Sequence, residues 1–251
     1  MSGRITIAGL GPGSEEMVTP QVASAIAEAS DIIGYIPYVA RISEREGLRL
    51  HPSDNRVETE RASHAFELAA GGAKVVIVSS GDPGVFAMAA AVFEVMEHAS
   101  APHRAIEVEV LPGITAMLAA AAACGAPLGH DFCCINLSDN LKPFSVIEKR
   151  VQLACEADFA MAFYNPRSKS RPQGFASVLE LLKSSCEPER LMIFARAVST
   201  ADQQIKIVTL KDTTADMADM RTVVLVGSSQ TRRFSTPHQD YVFTPRSLPK
   251  P

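Results

Sequence analysis

Apolar and polar positions along this chain fall into blocks whose period switches repeatedly between that of a strand and that of a helix. Residues 4–8 form a short apolar run that predicts a strand, ended by "GLGPGS". Thr19 and Pro20 mark a helix start: a capping hydroxyl comes first, then a ring suited to the first helical position. Val22, Ile26 and Ala29 follow at helical spacing. "DIIGY" (31–35) predicts a second strand, and a helix ends over 64–70, stopped by Gly71 and Gly72. "KVVIVS" (74–79) is a continuous β-branched run, as expected of a strand covered on both faces. Beyond "GDPG" a helix passes through Phe86, Val92, Phe93 and Met96. Residues 106–111 then predict a strand and 115–124 a helix of small residues.

"GAPLGHDFCCINLSD" (125–139) has the punctuation of a crossing between domains. The alternation then resumes, with strands at 158–164, 191–195, 204–209 and 221–226 and a helix at 174–185. The pattern predicts an α/β protein of two α/β domains, residues 1–122 and 123–234, with a ligand cleft between them. From Ser235 the chain is proline-containing and weakly periodic, which predicts an extended or frayed tail over 235–251.

Composition narrows the picture. The 251 residues are 47% hydrophobic and 21% charged, enough to bury a core and unlike a disordered chain. A net charge of −4 without a lysine-rich stripe argues against a nucleic-acid partner. Five cysteines without a C-x-x-C pair suggest neither a disulfide framework nor a zinc site, and the adjacent Cys133 and Cys134 read as core or near-core thiols. The six histidines lack ligand spacing, so no metal is expected. With no leader-like start and no long apolar run, a soluble cytoplasmic protein without a membrane partner is expected.

Candidate chemistry lies in the loops that follow strands. Gly9, Gly11 and Gly13 let the backbone approach a neighbour closely. They miss the dinucleotide fingerprint, because the third glycine comes one residue early and Pro12 interrupts the turn. The acid a nicotinamide site needs at the end of the second strand is also misplaced, since Asp31 opens that strand. "SSGDPGVF" (79–86), "LPGITA" (111–116) and "FYNPRS" (163–168) repeat the strand-then-turn design, where open α/β sheets bind ligands. Thr115 also suits a helix cap. Asp82 either serves as an acid–base group or braces its own turn, and Asp139 either serves chemistry or caps a helix. Arg167, Lys169 and Arg171 form an acid-free cationic patch suited to carboxylates, or a solvated loop. Arg41, Arg45, Arg49, Arg56 and Arg61 are interleaved with acids and read mostly as surface pairs.

The motifs "GLGPGS....TP", "SSGDPGVF", "LPGITA", "GAPLGHDF", "NLSD", "FYNPRS..R" and "MRTVVLVGSS" together resemble the tetrapyrrole methyltransferases of corrin and siroheme synthesis, over residues 4–233. The resemblance implies S-adenosylmethionine as methyl donor, S-adenosylhomocysteine as product, a tetrapyrrole substrate and a homodimer. "NLSD" with "FYNPRS..R" and "TVVLVGSS" is most similar to the ring-contracting branch, implying C-methylation of a precorrin at C17 in cobalamin synthesis; a C11 branch is the alternative. The cofactor positions it implies are Pro12, Ser80, Gly81, Asp82, Val85, Thr115, Ala116, Asn165 and Ala197. On the substrate side it implies Gly9, Gly11 and Gly13, joined by Ser138, Arg167 and Arg171 as donors to carboxylates and oxygens. Asp139, Tyr164 and Asp82 are the acid–base candidates for contraction. A nicotinamide oxidoreductase and a pure binding protein remain the readings from other classes.

Overall fold

A computed structural model describes residues 3–54, 57–168 and 171–247. The chain divides into two compact units, Met1–Thr115 and Ala116–Pro251. The expected boundary at 122/123 thus falls inside the second unit, near the end of a helix whose small residues the pattern had placed with the first.

The first unit contains, in order, β1 (Arg4–Gly9), α1 (Pro20–Glu28), β2 (Asp31–Tyr35), α2 (Ile36–Val39), β3 (Arg49–Ser53), α3 (Glu58–Ala70), β4 (Lys74–Ser79), α4 (Met88–Glu97), α5 (Ala101–Arg104) and β5 (Glu107–Leu111). Its five strands lie in the order β3-β2-β4-β1-β5, all parallel. The β-branched run of β4 is buried on both faces because strands flank it and helices cover it. Ile5, Ile7, Ile77 and Phe66 pack on one face of the sheet, and Ala8, Val22, Ile32 and Val78 on the other. Thr19 caps α1 as the sequence predicts, its Oγ1 accepting from the Val22 amide at 3.3 Å. β3 was not expected, for it is a polar edge strand, RLHPS, whose pattern carries no strand period.

The second unit contains α6 (Ala116–Cys124), β6 (Gly125–Ala126), β7 (Phe132–Asn136), α7 (Phe144–Glu156), β8 (Ala160–Tyr164), α8 (Gly174–Ser185), β9 (Leu191–Arg196), β10 (Gln204–Thr209), β11 (Thr222–Val226), β12 (Arg232–Ser235) and β13 (Asp240–Phe243). Its main sheet runs β10-β9-β11-β8-β7, parallel between β7 and β8 and antiparallel elsewhere. The 125–139 stretch read as a crossing contributes two strands, and α7 was not expected. Part of the tail read as extended is also structured. β13 pairs antiparallel with β12 and parallel with β6, which satisfies its backbone despite the prolines around it.

Candidate functional site

In the first unit β4, β1 and β5 are adjacent and parallel, so the segments after Ser79, Gly9 and Leu111 emerge side by side at the carboxyl edge of the sheet. The chain leaves β1 toward β2 on one side and returns to β5 on the other, the reversal at which open α/β sheets bind ligands. The three loops are joined by their own backbones. Gly81 donates its amide to Gly11 O at 2.8 Å, and Gly11 donates back to Gly81 O at 3.2 Å. A Cβ on Gly9 would sit 2.6 Å from Gly81 O and 2.7 Å from Gly113 N, and one on Gly113 would run into Gly81 O. The close approach that these glycines permit is therefore first of all backbone to backbone.

Asp82 belongs to the same assembly. Its Oδ1 accepts from the Gly84 amide at 2.8 Å and its Oδ2 from the Gly113 amide at 3.0 Å. It thus braces its own turn and ties the second loop to the third. Phe86, one residue beyond Val85, has a left-handed backbone (φ 55°), a conformation costly for a side-chain-bearing residue. Thr115 is buried directly before α6. Pro12 and Gly13 are half-buried, and Arg41 Nη2 donates to Leu10 O at 2.9 Å and to Gly13 O at 3.2 Å. Ser80 opens the second loop, near the Tyr38 phenol. Burial pushes that phenol above its ordinary range, against Ser80 and the nearby Arg61 and Arg41 charges.

Of the arginines between 41 and 61, Arg41, Arg45 and Arg61 are not surface pairs, whereas Arg49 is largely exposed and paired. Arg45 donates to Ile26 O and Ala29 O at the end of α1, and Arg49 meets the fully buried Asp31 at 2.8 Å. Arg61 is 5% exposed, its guanidinium bound to Ser53 Oγ, Asp54 O and Met88 Sδ. Arg41, Arg45 and Arg61 cap carbonyls that the local fold leaves over, a role charge patterning does not reveal; Arg56 lies outside the described residues. Asp31 opens β2 at the amino edge of the parallel sheet, where its carboxylate is taken up by Arg49, His51 and Ser30. It cannot serve a ribose at the carboxyl edge.

In the second unit β7 and β8 are parallel neighbours, so "NLSD" and "YNPRS" leave the sheet together. Asn165 holds a left-handed backbone (φ 51°) and donates from Nδ2 to Asn136 Oδ1 at 3.1 Å, which also accepts from the Ser138 amide at 2.9 Å. Arg171 Nη1 donates to Leu137 O at 3.3 Å and Asn165 O at 3.5 Å, and its Nε lies 3.7 Å from Asp139 Oδ1. Lys142 Nζ donates to Asn136 O at 2.8 Å and Ser138 O at 2.9 Å. Asn136 and Lys142 were not singled out from the sequence, where neither falls at a telling spacing. Asp139 caps no helix, since α7 begins at Phe144 after Pro143, and its carboxylate is 43% exposed. Arg167 is half-buried in the turn, with its charge felt at Asp216, and Lys169 lies outside the described residues.

Tyr164 reaches the other end of the unit's first helix, its hydroxyl accepting from the Met117 amide at 2.9 Å, one residue beyond Ala116. Ala197, after β9, is left-handed (φ 48°); its amide donates to Arg221 O at 2.8 Å and its carbonyl accepts from Thr200 Oγ1 at 2.8 Å. Left-handed Phe86, Asn165 and Ala197 thus each lie at or beside a position expected to touch the cofactor. Among the described residues no cluster of His, Cys, Asp and Glu could hold a metal ion, and no helix is long and apolar enough to cross a membrane.

The chain belongs to the tetrapyrrole (corrin/porphyrin) methylases, whose family pattern it matches over residues 4–214. More particularly, it is 48% identical over 247 residues to the precorrin-3B C(17)-methyltransferase of Sinorhizobium sp, covering 98% of this chain and 97% of that protein. The crystal structure of the methyltransferase CobJ matches with a TM-score of 0.93 at 66% identity, covering 97% of this chain and all of the other. At 19% identity, and so by fold alone, uroporphyrin-III C-methyltransferase of Thermus thermophilus, solved with S-adenosyl homocysteine, matches with a TM-score of 0.66 over 90% of this chain and 92% of that one.

Proposed function

We propose that this protein transfers a methyl group from S-adenosylmethionine to C17 of precorrin-3B, and that contraction of the macrocycle to precorrin-4 accompanies the transfer, as a step of cobalamin biosynthesis. The observation that carries this reading is the similarity, over nearly the whole of both chains, to a precorrin-3B C(17)-methyltransferase at 48% identity, joined by the methyltransferase CobJ at 66%. The site chemistry agrees. S-adenosylmethionine supplies a methyl group already activated on a sulfonium, so the protein has mainly to align donor and acceptor. Alignment alone can supply about 7–11 kcal/mol of the barrier. Loops tied by backbone hydrogen bonds, with strained main chain at Phe86, Asn165 and Ala197, fit a cofactor gripped largely by main-chain groups.

In the first unit Pro12, Ser80, Gly81, Asp82, Val85 and Thr115 are assigned to the cofactor, and the Gly9–Gly13 turn to the tetrapyrrole. In the second, Ala116, Asn165 and Ala197 are assigned to the cofactor, and Ser138, Arg167 and Arg171 to the substrate's polar groups. Arg171 donates to two carbonyls through Nη1 and faces Asp139 with Nε, so its share in carboxylate binding goes through Nη2, which lies 4.0 Å from Met220 Sδ. Of the three acid–base candidates Asp139 is preferred, because Asp82 and Tyr164 are hydrogen-bonded to backbone amides while Asp139 is paired only at 3.7 Å. A homodimer in the cytoplasm completes the reading; sedimentation of the purified protein at twice the monomer mass would support it.

The decisive experiment incubates the protein with S-adenosylmethionine and precorrin-3B and follows product mass and visible absorption. One added methyl with the spectrum of a contracted macrocycle is expected. A methyl gained at C11, or without contraction, would move the protein to another step, and no methyl gained would overturn the reading. Asp139→Asn is expected to lower turnover about a hundredfold, the scale of acid–base catalysis, while S-adenosylhomocysteine still binds; unimpaired turnover would remove Asp139 from the chemistry.

A further inference from the structure

Among the features that the reading above does not absorb, Asn136 stands apart, because its side chain reaches from one loop of the second unit to the next. It ends β7 and is paired with Tyr164, the last residue of β8, so the segments starting at Leu137 and Asn165 leave the sheet as neighbours. One backbone bond continues the pairing past the strand ends, from the Leu137 amide to Tyr164 O at 2.9 Å. Side chains carry it further. Asn136 Oδ1 accepts from the Ser138 amide at 2.9 Å, which curls its own loop, and from Asn165 Nδ2 at 3.1 Å, across to the other loop. A backbone N–H can only donate, so the atom that meets Ser138 is the amide oxygen, and both of its lone pairs are in use. The Asn136 main chain is held as well: Asn136 O and Ser138 O accept from Lys142 Nζ at 2.8 and 2.9 Å.

We propose that Asn136 is a positioning residue for the transfer: its side-chain oxygen fixes Asn165, on the cofactor side, in register with Ser138 and Asp139, on the substrate side. The inference rests on the function proposed above. Three points single out this residue. Asn165 has a left-handed backbone (φ 51°), which asparagine tolerates better than most residues but which its surroundings must still hold. The bond to Asn136 anchors the side chain of the residue that makes this turn. Second, one oxygen shared by two N–H groups makes their positions interdependent. A shift of either loop stretches or bends a bond to the same atom, and hydrogen bonds weaken steeply with misalignment. Third, Arg171 repeats the link at another place, its Nη1 donating to Leu137 O at 3.3 Å and to Asn165 O at 3.5 Å, so the loops do not turn about a single hinge. Small losses of register matter greatly in such a reaction, because misplacement by about 1 Å can cost on the order of a hundredfold in rate.

The test separates the acceptor oxygen from the fold. Asn136→Ala removes that oxygen, whereas Asn136→Asp keeps one in the same place for both N–H groups. In Asn136→Ala, kcat for methyl transfer to precorrin-3B is expected to fall about tenfold, counted per site that binds S-adenosylhomocysteine in a calorimetric titration. Asn136→Asp is expected to recover most of that loss. Asn136→Gln, which displaces the oxygen by one methylene, should fall with the alanine variant and serves in its place if alanine does not fold. Asn165→Gly removes the other end of the bond while leaving the left-handed turn easy. In the double variant Asn136→Ala/Asn165→Gly the loss should be less than the product of the single losses, as for residues acting as a unit. An unchanged kcat in Asn136→Ala, an equal fall in Asn136→Asp, or a fully multiplicative loss in the double variant would overturn the inference. A lowered melting temperature with unchanged kcat would also count against it, since it would mark the contacts as merely structural. Failure of the wild-type protein to bind S-adenosylhomocysteine or to methylate precorrin-3B would instead overturn the proposed function, and shows before any variant is made.

Discussion

Asp82 illustrates how a conspicuous residue can be read in two ways from sequence and resolved by its partners. Both carboxylate oxygens accept backbone amides, one in its own turn and one in the loop after β5. Asp82→Ala is expected to loosen both loops and weaken S-adenosylhomocysteine binding, measured by calorimetry, whereas Asp82→Asn keeps one acceptor and should retain more of it. At the other edge of the sheet, burial pushes the Asp31 carboxyl up, but hydrogen bonds from Arg49, His51 and Ser30 and the Arg49 charge outweigh it and hold it below its ordinary 3.8. A depressed folded-state value means stabilisation that is present above pH 4 and lost as pH falls through the folded value. The stability difference between wild type and Asp31→Asn should therefore shrink on acidification below pH 4, as read from urea unfolding at a series of pH values. The cysteines divide in a similar manner. Burial pushes Cys124 up to about 11 and Cys134 up to about 12, whereas the neighbouring Cys155 thiol lowers Cys186 below its ordinary value, with the Arg190 charge assisting. Iodoacetamide at pH 8 should label Cys186 first, since the thiolate is the nucleophile; mass mapping that finds Cys124 or Cys134 first would refute this.

At the scale of elements, Tyr164 couples two pieces of the second unit, its hydroxyl satisfying an otherwise orphaned amide in the first turn of α6. Tyr164→Phe should cost about 1 kcal/mol, as for loss of a helix cap, and leave turnover within twofold if capping is its whole role. The same scale shows what the sequence made legible. β4 and β11 carry continuous apolar runs because both faces are covered, and they were readable for that reason. β3 and β7 are edge strands; one is largely polar and the other sits inside a stretch punctuated like a linker, so their pairing depends on neighbours that periodicity does not describe. β13 owes its existence to β12 and β6, which lie at different distances along the chain. The ligand loops could be placed because each follows a strand and contains glycine. Arg41, Asn136 and Lys142 could not, because their partners are backbone carbonyls and side chains brought near only by folding.

At the scale of the whole molecule, each unit carries its own core, Ile5, Ile77 and Phe66 among those of the first and Ile147, Phe163 and Val224 among those of the second. A ligand that binds only the folded protein stabilises it by mass action, by about 2.7 kcal/mol at a hundredfold excess over Kd. S-adenosylhomocysteine should accordingly raise the unfolding midpoint of the intact protein, and NAD should not. The glycine contacts at the carboxyl edge bear on time as well as on shape. Loops beside ligands are commonly the first parts of a protein to open to solvent. Here the Gly11 and Gly81 amides are bonded to each other's carbonyls at the foot of those loops. Their hydrogens should exchange with deuterium as slowly as those in the middle of β4, even with no ligand added. A site in that condition is ordered before its ligand arrives, so capture of the cofactor would be timed by diffusion and not by the folding of a loop.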